Sequence, residues 1–252
     1  MDSEQSARLR AEMVERQLRG GGIRDERILA VMAQLPRELF VPEGSLAQAY
    51  RDGALPIAFG QTISQPYMVA HMTELLELRP GMRVLEVGTG SGYGAAVLAA
   101  LGASVITMER HPELAEAARE RLAGLGLGLG PGLGFAAGVR VVVGDGSLGW
   151  PDGAPFDAIV VTAAAPRVPA ALPTQLADGG RLVVPVGMRG RQELMLVIRQ
   201  GDAFEEHACG PCTFVPLIGE GGFAYPAAHP VADPAADSGK GRLRRWFGRR
   251  TM

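Results

Sequence analysis

The sequence predicts an α/β protein built on a doubly wound, mostly parallel sheet with a helical cap at its N-terminal end. Three observations predict it. From residue 82 onward, apolar strand-like runs alternate with helix-like runs, the rhythm of parallel strands joined by right-handed crossovers. Within that region, Val84-Leu85-Glu86-Val87-Gly88-Thr89-Gly90-Ser91-Gly92-Tyr93 drives an apolar strand into three glycines at alternate positions, and a helical stretch from Ala95 to Leu101 follows at once. Residues without a Cβ allow a tight turn and close approach of a ligand to backbone, and the helix start aims unpaired N–H groups at it. Finally, 252 residues with 47% hydrophobic content supply enough apolar surface for one large core with additions.

Residues 7–19 read as a helix with Leu9, Met13, Val14 and Leu18 in register, ended by Gly20-Gly21-Gly22. A second helix spans Asp25 to Leu35, with Asp25 as N-cap and Pro36 as stop. Residues 37–65 are mixed. A third helix runs from Pro66 to Leu78, with proline in the first turn, where a missing N–H does no harm. Strand 82–87 then leads to helix 92–101, and strand 104–108 to helix 112–123. Strand 139–143 ends in Gly144-Asp145-Gly146, strand 157–162 in Ala163-Ala164-Ala165-Pro166, and strand 181–186 follows Gly179-Gly180. Glu193 to Arg199 and Phe204 to Pro216 read as two antiparallel strands closing the sheet. The expected organisation is a cap and substrate-side segment over 1–80 and a ligand-binding core over 81–224. Residues 124–138, rich in alternating Gly and Leu, form a loop insertion, and a basic tail occupies 225–252.

A net charge of −2 argues against a nucleic-acid binder. No apolar run reaches the about 18 residues needed to span a membrane. The charged N-terminus is not a secretory signal, and two cysteines imply no disulfide framework, so a soluble cytoplasmic protein is expected, taken as a monomer. The tail carries Lys240, Arg242, Arg244, Arg245, Arg249 and Arg250, with Leu243, Trp246 and Phe247 at helical spacing. It reads as a soluble disordered tail, and contact with an anionic membrane is the sharper alternative.

Dinucleotide enzymes favour G-x-G-x-x-G at such a corner. Here the spacing is E-x-G-x-G-x-G, which resembles motif I of the S-adenosylmethionine (SAM) methyltransferases. Glu86, Gly88, Thr89, Gly90, Ser91 and Gly92 are the candidate residues for that cofactor. Glu86 also reads as a buried carboxylate supporting the turn. Glu109 ends the second core strand, where an acid can accept hydrogen bonds from both ribose hydroxyls. Asp145 and Gly146 close the third strand and Thr162 the fourth, and ligands in open α/β sheets bind beyond such carboxyl ends. Asp145 also reads as a simple Asp-Gly turn. DNA amino-methylating enzymes carry Asn/Asp-Pro-Pro-aromatic after the fourth strand to hold a flipped base. Thr162-Ala163-Ala164-Ala165 lacks it.

Pro56-Ile57-Ala58-Phe59-Gly60-Gln61-Thr62-Ile63-Ser64-Gln65-Pro66-Tyr67-Met68 resembles the signature segment of the protein-L-isoaspartate (D-aspartate) O-methyltransferase family. Arg16-Gln17-Leu18, Pro36-Arg37-Glu38-Leu39-Phe40-Val41-Pro42, Phe156-Asp157-Ala158-Ile159, Gly179-Gly180-Arg181-Leu182 and Phe214-Val215-Pro216-Leu217 agree with it, so the resemblance covers roughly residues 10–220. It implies methyl transfer from SAM to the free α-carboxylate of L-isoaspartyl residues in damaged peptides, after which the ester collapses through a succinimide towards aspartate. It also places Ser64 at the family's active-site serine, where the hydroxyl can hold the substrate carboxylate. Gln61, Thr62 and Ile63 would line the same corner on the cofactor side. Ser64 before Pro66 is also good helix-capping grammar, and a capping serine could still face the substrate. Family members often carry a histidine at or near Val69. Here His71 lies two residues on and reads as a helix-surface residue. A carboxylate is already ionised at pH 7, so the absence of a Cys–His or Ser–His–Asp set fits this chemistry. Two alternatives remain open at this level: a carboxyl methyltransferase for aspartate in a dedicated peptide, and a SAM-binding partner protein without turnover.

Cys209-Gly210-Pro211-Cys212 matches the thioredoxin redox tetrapeptide. It leads into strand-like Thr213-Phe214-Val215-Pro216 rather than a helix, and His207 supplies at most a third metal ligand. The cysteines therefore read as structural, and no metal is expected.

Overall fold

The computed structural model of the protein describes residues 2–127 and 138–224. Most of the Gly/Leu insertion and all of the basic tail lie outside the described residues, and so do the expectations attached to them.

The chain opens with α1 (Ser3–Glu12), capped by Asp2, whose carboxylate accepts from Gln5 N at 2.7 Å. That cap starts the helix four residues earlier than the apolar register predicts. The helix continues as a π-helical stretch over Met13–Arg19, with Met13, Val14 and Leu18 buried. Next, α2 (Glu26–Gln34) begins at the predicted cap, where Asp25 accepts from Arg27 N at 2.9 Å. A small antiparallel ladder of β1 (Leu55–Pro56) and β2 (Thr62–Ile63) precedes α3 (Pro66–Leu75). This helix ends three residues before the predicted Leu78, because Glu77 adopts φ +49° and the unwound chain buries both Leu76 and Leu78.

The core follows as β3 (Arg83–Val87), α4 (Tyr93–Ala100), β4 (Ser104–Glu109), α5 (Pro112–Gly124), β5 (Val139–Val143), β6 (Phe156–Val161), β7 (Leu176–Met188), β8 (Arg191–Gln200) and β9 (Ala203–Cys212). The sheet order is β5-β4-β3-β6-β7-β8-β9, with parallel pairing from β5 through β7 and antiparallel pairing for β8 and β9. The predicted closing hairpin is therefore present, although its last strand stops at Cys212 rather than Pro216. No α-helix links β6 to β7. Pro166, Pro169 and Pro173 interrupt that stretch, and only a 3₁₀ turn over Pro173–Gln175 forms. β7 also starts earlier than predicted: it runs across Gly179-Gly180 through a register shift, and a Cβ at Gly180 would press on Ala177 O at 2.8 Å.

Alternation along β3 divides the interior in two. Val84 joins a cluster with Val105, Met13, Leu18, Ile28, Met32 and Leu76, so the N-terminal helices and one face of the sheet share a single core. Leu85 and Val87 join Met108, Ile159, Val161 and Leu182 on the other face. β3 is flanked by β4 on one side and β6 on the other, which puts the topological switch point, and its crevice, at the carboxyl end of β3. Among the described residues no helix is long and apolar enough to cross a membrane.

Candidate active site

At the end of β3 the chain makes the turn its glycines require. Gly88 sits at φ +99°, where a Cβ would strike Thr162 Oγ1, and Thr162 Oγ1 instead donates to Gly88 O at 2.7 Å. Gly88 N and Thr89 N donate to Met108 O at 2.9 and 3.1 Å, which binds the turn to the neighbouring strand end. Glu109 closes the same corner: one carboxylate oxygen accepts from Gly90 N at 2.9 Å and the other from His111 N at 3.0 Å. Each oxygen keeps a lone-pair direction for a further donor.

Beneath the turn, Glu86 is 1% exposed and accepts from Thr107 Oγ1 at 2.5 Å, the residue paired with it across the β3–β4 ladder. Thr107 Oγ1 in turn lies 2.7 Å from Thr89 Oγ1. Gly94, the second residue of α4, lies against Glu86 Oε1 so closely that any Cβ would collide with it. Among the described residues no cation pairs with Glu86. Burial therefore pushes its carboxyl up to about 8, and the neighbouring charge of Glu109 adds to the effect.

The cavity at this corner brings together twelve of the predicted residues: Ser64 with Gln61, Thr62 and Ile63 from the β2 segment, Glu86, Gly88, Thr89, Gly90 and Ser91 from the turn, and Glu109, Gly146 and Thr162 from the next strand ends. Two predicted residues do not line it. Gly92, at φ +90°, is the N-cap of α4, and its Cα faces Ala118 and Leu122 of α5, so it serves helix packing. Asp145 turns its carboxylate away: Oδ1 accepts from Ser147 N and Oγ at 2.9 and 2.6 Å, and Oδ2 accepts from Glu220 N at 2.8 Å. It thereby fastens the chain just beyond Val215, Pro216, Leu217 and Ile218, which form a wall of the cavity that sequence reasoning missed. The sequence points to Val215, Pro216 and Leu217 as part of the family resemblance, without assigning them to the site.

Ser64 is not a helix cap. The N-cap of α3 is Gln65, and no side chain caps that helix. Among the described residues the Ser64 hydroxyl has no hydrogen-bond partner; its carbonyl accepts from Arg37 Nη2 at 2.8 Å. Ser64 and Thr62 also line a second cavity of about 750 Å³, whose far side is formed by Arg191, Gln192 and Glu193 of β8 and by Pro211 to Phe214. The wall between β8 and this cavity is held by Gln192, 7% exposed, whose amide donates to Phe214 O at 3.1 Å and accepts from Phe214 N at 2.6 Å. The clamp follows directly on the last ladder pair, Gln192 with Cys212, where β9 ends.

His71 is half-buried rather than a free surface group: it stacks on Tyr67 at 5.6 Å, with Nε2 3.5 Å from Cys209 O. Cys209 and Cys212 are free and lie on β9, not at a helix start. Burial raises both thiols, Cys212 to about 11, which leaves little reactive thiolate. The His207 ring is engaged by Glu205 at 3.0 Å.

Comparison with known proteins agrees with this geometry. The profile of the family described as protein-L-isoaspartate(D-aspartate) O-methyltransferase matches residues 8–222. A protein-L-isoaspartate O-methyltransferase of Methylorubrum populi is 57% identical over 210 residues, covering 83% of this chain and 94% of that one. One of Methanoculleus marisnigri is 52% identical over 223 residues, covering 88% and 97%. A solved protein-L-isoaspartate O-methyltransferase superposes with a TM-score of 0.74 at 30% identity, over 84% of this chain and 67% of that one. A Plasmodium falciparum structure described as a putative enzyme of this kind, in complex with S-adenosyl-L-homocysteine, gives 0.71 at 25% identity, over 83% and 98%. From the glycine corner to the signature segment around Ser64, the chain belongs to the protein-L-isoaspartate (D-aspartate) O-methyltransferase family.

Proposed function

We propose that the protein transfers a methyl group from SAM to the free α-carboxylate of L-isoaspartyl residues in damaged proteins and peptides. The observation that carries this reading is the position of Ser64, an unengaged hydroxyl at the junction of two cavities, one with the donor set of a nucleoside site and one open enough for a peptide. The first cavity fits SAM on its own chemistry. Gly88 and Gly90 offer bare backbone, Glu109 has spare acceptor directions for a vicinal diol, and Glu86 is a buried carboxylate without a protein cation, suited to an ammonium-bearing ligand. When bound, the cofactor supplies an electrophilic methyl group.

The residues of the chain do the positioning. A substrate carboxylate is ionised at pH 7 and needs no general base. The Ser64 hydroxyl donates to it and fixes its direction at the mouth of the first cavity. Thr62 and Ile63 hold Ser64 in place through the β1–β2 ladder. Gln192 and the Phe214 backbone form the opposite wall, along which the peptide lies. Holding two reactants in line in this way supplies several kcal/mol of the barrier reduction, about 7–11 kcal/mol in well-oriented intramolecular reactions.

Ser64→Ala tests the assignment. Turnover of an isoaspartyl peptide should fall about tenfold or more, the cost of one lost hydrogen bond to a charged group, while SAM affinity stays within about twofold. Full turnover in the alanine protein would remove Ser64 from the site.

A further inference from the structure

Arg37 is 0% exposed and has no anionic partner among the described residues. Its Nε donates to Ala49 O at 2.8 Å and its Nη2 to Ser64 O at 2.8 Å, and its guanidinium lies over the Tyr93 ring at 4.8 Å. Nη1 and the Tyr93 hydroxyl are both buried without a hydrogen bond of good geometry, although the hydroxyl is within the guanidinium's electrostatic reach. The adjacent carboxylate, Glu38, is taken by the Tyr50 hydroxyl. A fully buried cation facing only carbonyls and tyrosine side chains, with no carboxylate, is strongly unfavourable in the free protein. Arginine keeps its charge even when burial pulls its pKa down.

The charge reaches Ser64 through its Nη2 bond to that residue's carbonyl, so it lies within one residue of the hydroxyl. Tyr93, whose ring it covers, lines the cofactor cavity. Low-dielectric surroundings carry such a field further than water does. We propose that Arg37 is a positioning residue that makes this site select a carboxylate: it fixes the Ser64 backbone, and its unpaired charge finds its missing counter-charge in the substrate carboxylate. The inference rests on the isoaspartyl reading above.

The test compares two peptides identical except for isoaspartate, with a free α-carboxylate, or isoasparagine, with a neutral carboxamide at the same place. Their Kd values are measured on the S-adenosylhomocysteine-loaded protein, where no turnover occurs, for the wild type, Arg37→Lys and Arg37→Gln. The wild type should prefer the carboxylate. Arg37→Gln should lose roughly tenfold of that preference, by weakening the charged peptide more than the neutral one, and Arg37→Lys, whose ammonium sheds its proton readily when buried, should lose part of it. An unchanged preference in Arg37→Gln, or equal weakening of both peptides, would overturn the proposal and leave Arg37 a purely structural residue. Should Arg37→Gln fail to bind S-adenosylhomocysteine, Arg37→Met, which also lacks the charge, is judged by the same outcomes: a lost preference supports the proposal and an unchanged one overturns it. Methyl transfer by the wild type to the isoaspartyl peptide is checked in parallel. Its absence overturns the function as well, whereas its presence with an unchanged ratio overturns only the role of Arg37.

Discussion

Replacing Glu86 by glutamine should stabilise the free protein at neutral and alkaline pH while weakening its grip on SAM. The carboxyl is buried at the floor of the cavity, with Thr107 as its donor, and its pKa rises from 4.5 to about 8. For an acid whose folded pKa lies above the unfolded one, the stability contribution is fully present below the unfolded value and is lost as pH rises through the folded value. Glu86 therefore costs the free protein nothing at pH 4 and progressively more between pH 4.5 and pH 8. At about 1.4 kcal/mol per pH unit, the cost is on the order of 3 kcal/mol at pH 7 and levels off near 5 kcal/mol above pH 8. Glutamine keeps the shape and the acceptor for Thr107 but never ionises. Urea unfolding of both proteins without ligand, at pH 5, 6, 7 and 8, should show the stability gap widening in favour of Glu86→Gln as pH rises. A gap constant within about 0.5 kcal/mol across that range would refute the reasoning. The same charge explains the functional side. A cationic ligand beside Glu86 stabilises the carboxylate, so SAM binding should release a proton below pH 8 in the wild type and not in Glu86→Gln. Calorimetry in buffers of different ionisation enthalpy reads that proton directly.

Other substitutions probe the remaining parts of the site. Glu109→Ala should weaken SAM binding by about 1–3 kcal/mol, since it removes an acceptor that also ties Gly90 to His111, and unchanged affinity would exclude Glu109 from the cofactor site. Gln192→Ala leaves both backbone groups of Phe214 without their partner; it should cost about 1–3 kcal/mol of stability and raise the peptide KM with SAM affinity unchanged. Equal peptide KM in that variant would show that the Phe214 wall does not touch substrate. Asp145→Ala should loosen the segment from Leu217 to Glu220, visible as faster amide exchange there, and protection equal to the wild type would contradict its anchoring role.

Much of this site was legible in the sequence because its signals are local. The glycine turn, the acid ending β4 and the run from Gln61 to Ser64 each declare themselves within a few residues; strand-end logic places the first two around one crevice, and only the family resemblance put Gln61 to Ser64 beside them. Strand-end logic fixes where a residue sits but not where its side chain points, which is why Asp145 and Gly92 were expected in the cavity and instead hold Glu220 and α5. The absence of an α-helix between β6 and β7 is written in the prolines at 166, 169 and 173. Long-range pairings left no such trace. Gln192 meets Phe214 across 22 residues and Arg37 meets Ser64 across 27, and nothing in the composition near either predicts its partner.

The most direct measurement is methyl transfer from labelled SAM to two synthetic peptides that differ only in one L-isoaspartyl versus L-aspartyl residue. The site described here predicts base-labile label on the isoaspartyl peptide alone. Label on the aspartyl peptide as well, or on neither while SAM binds normally, would contradict it.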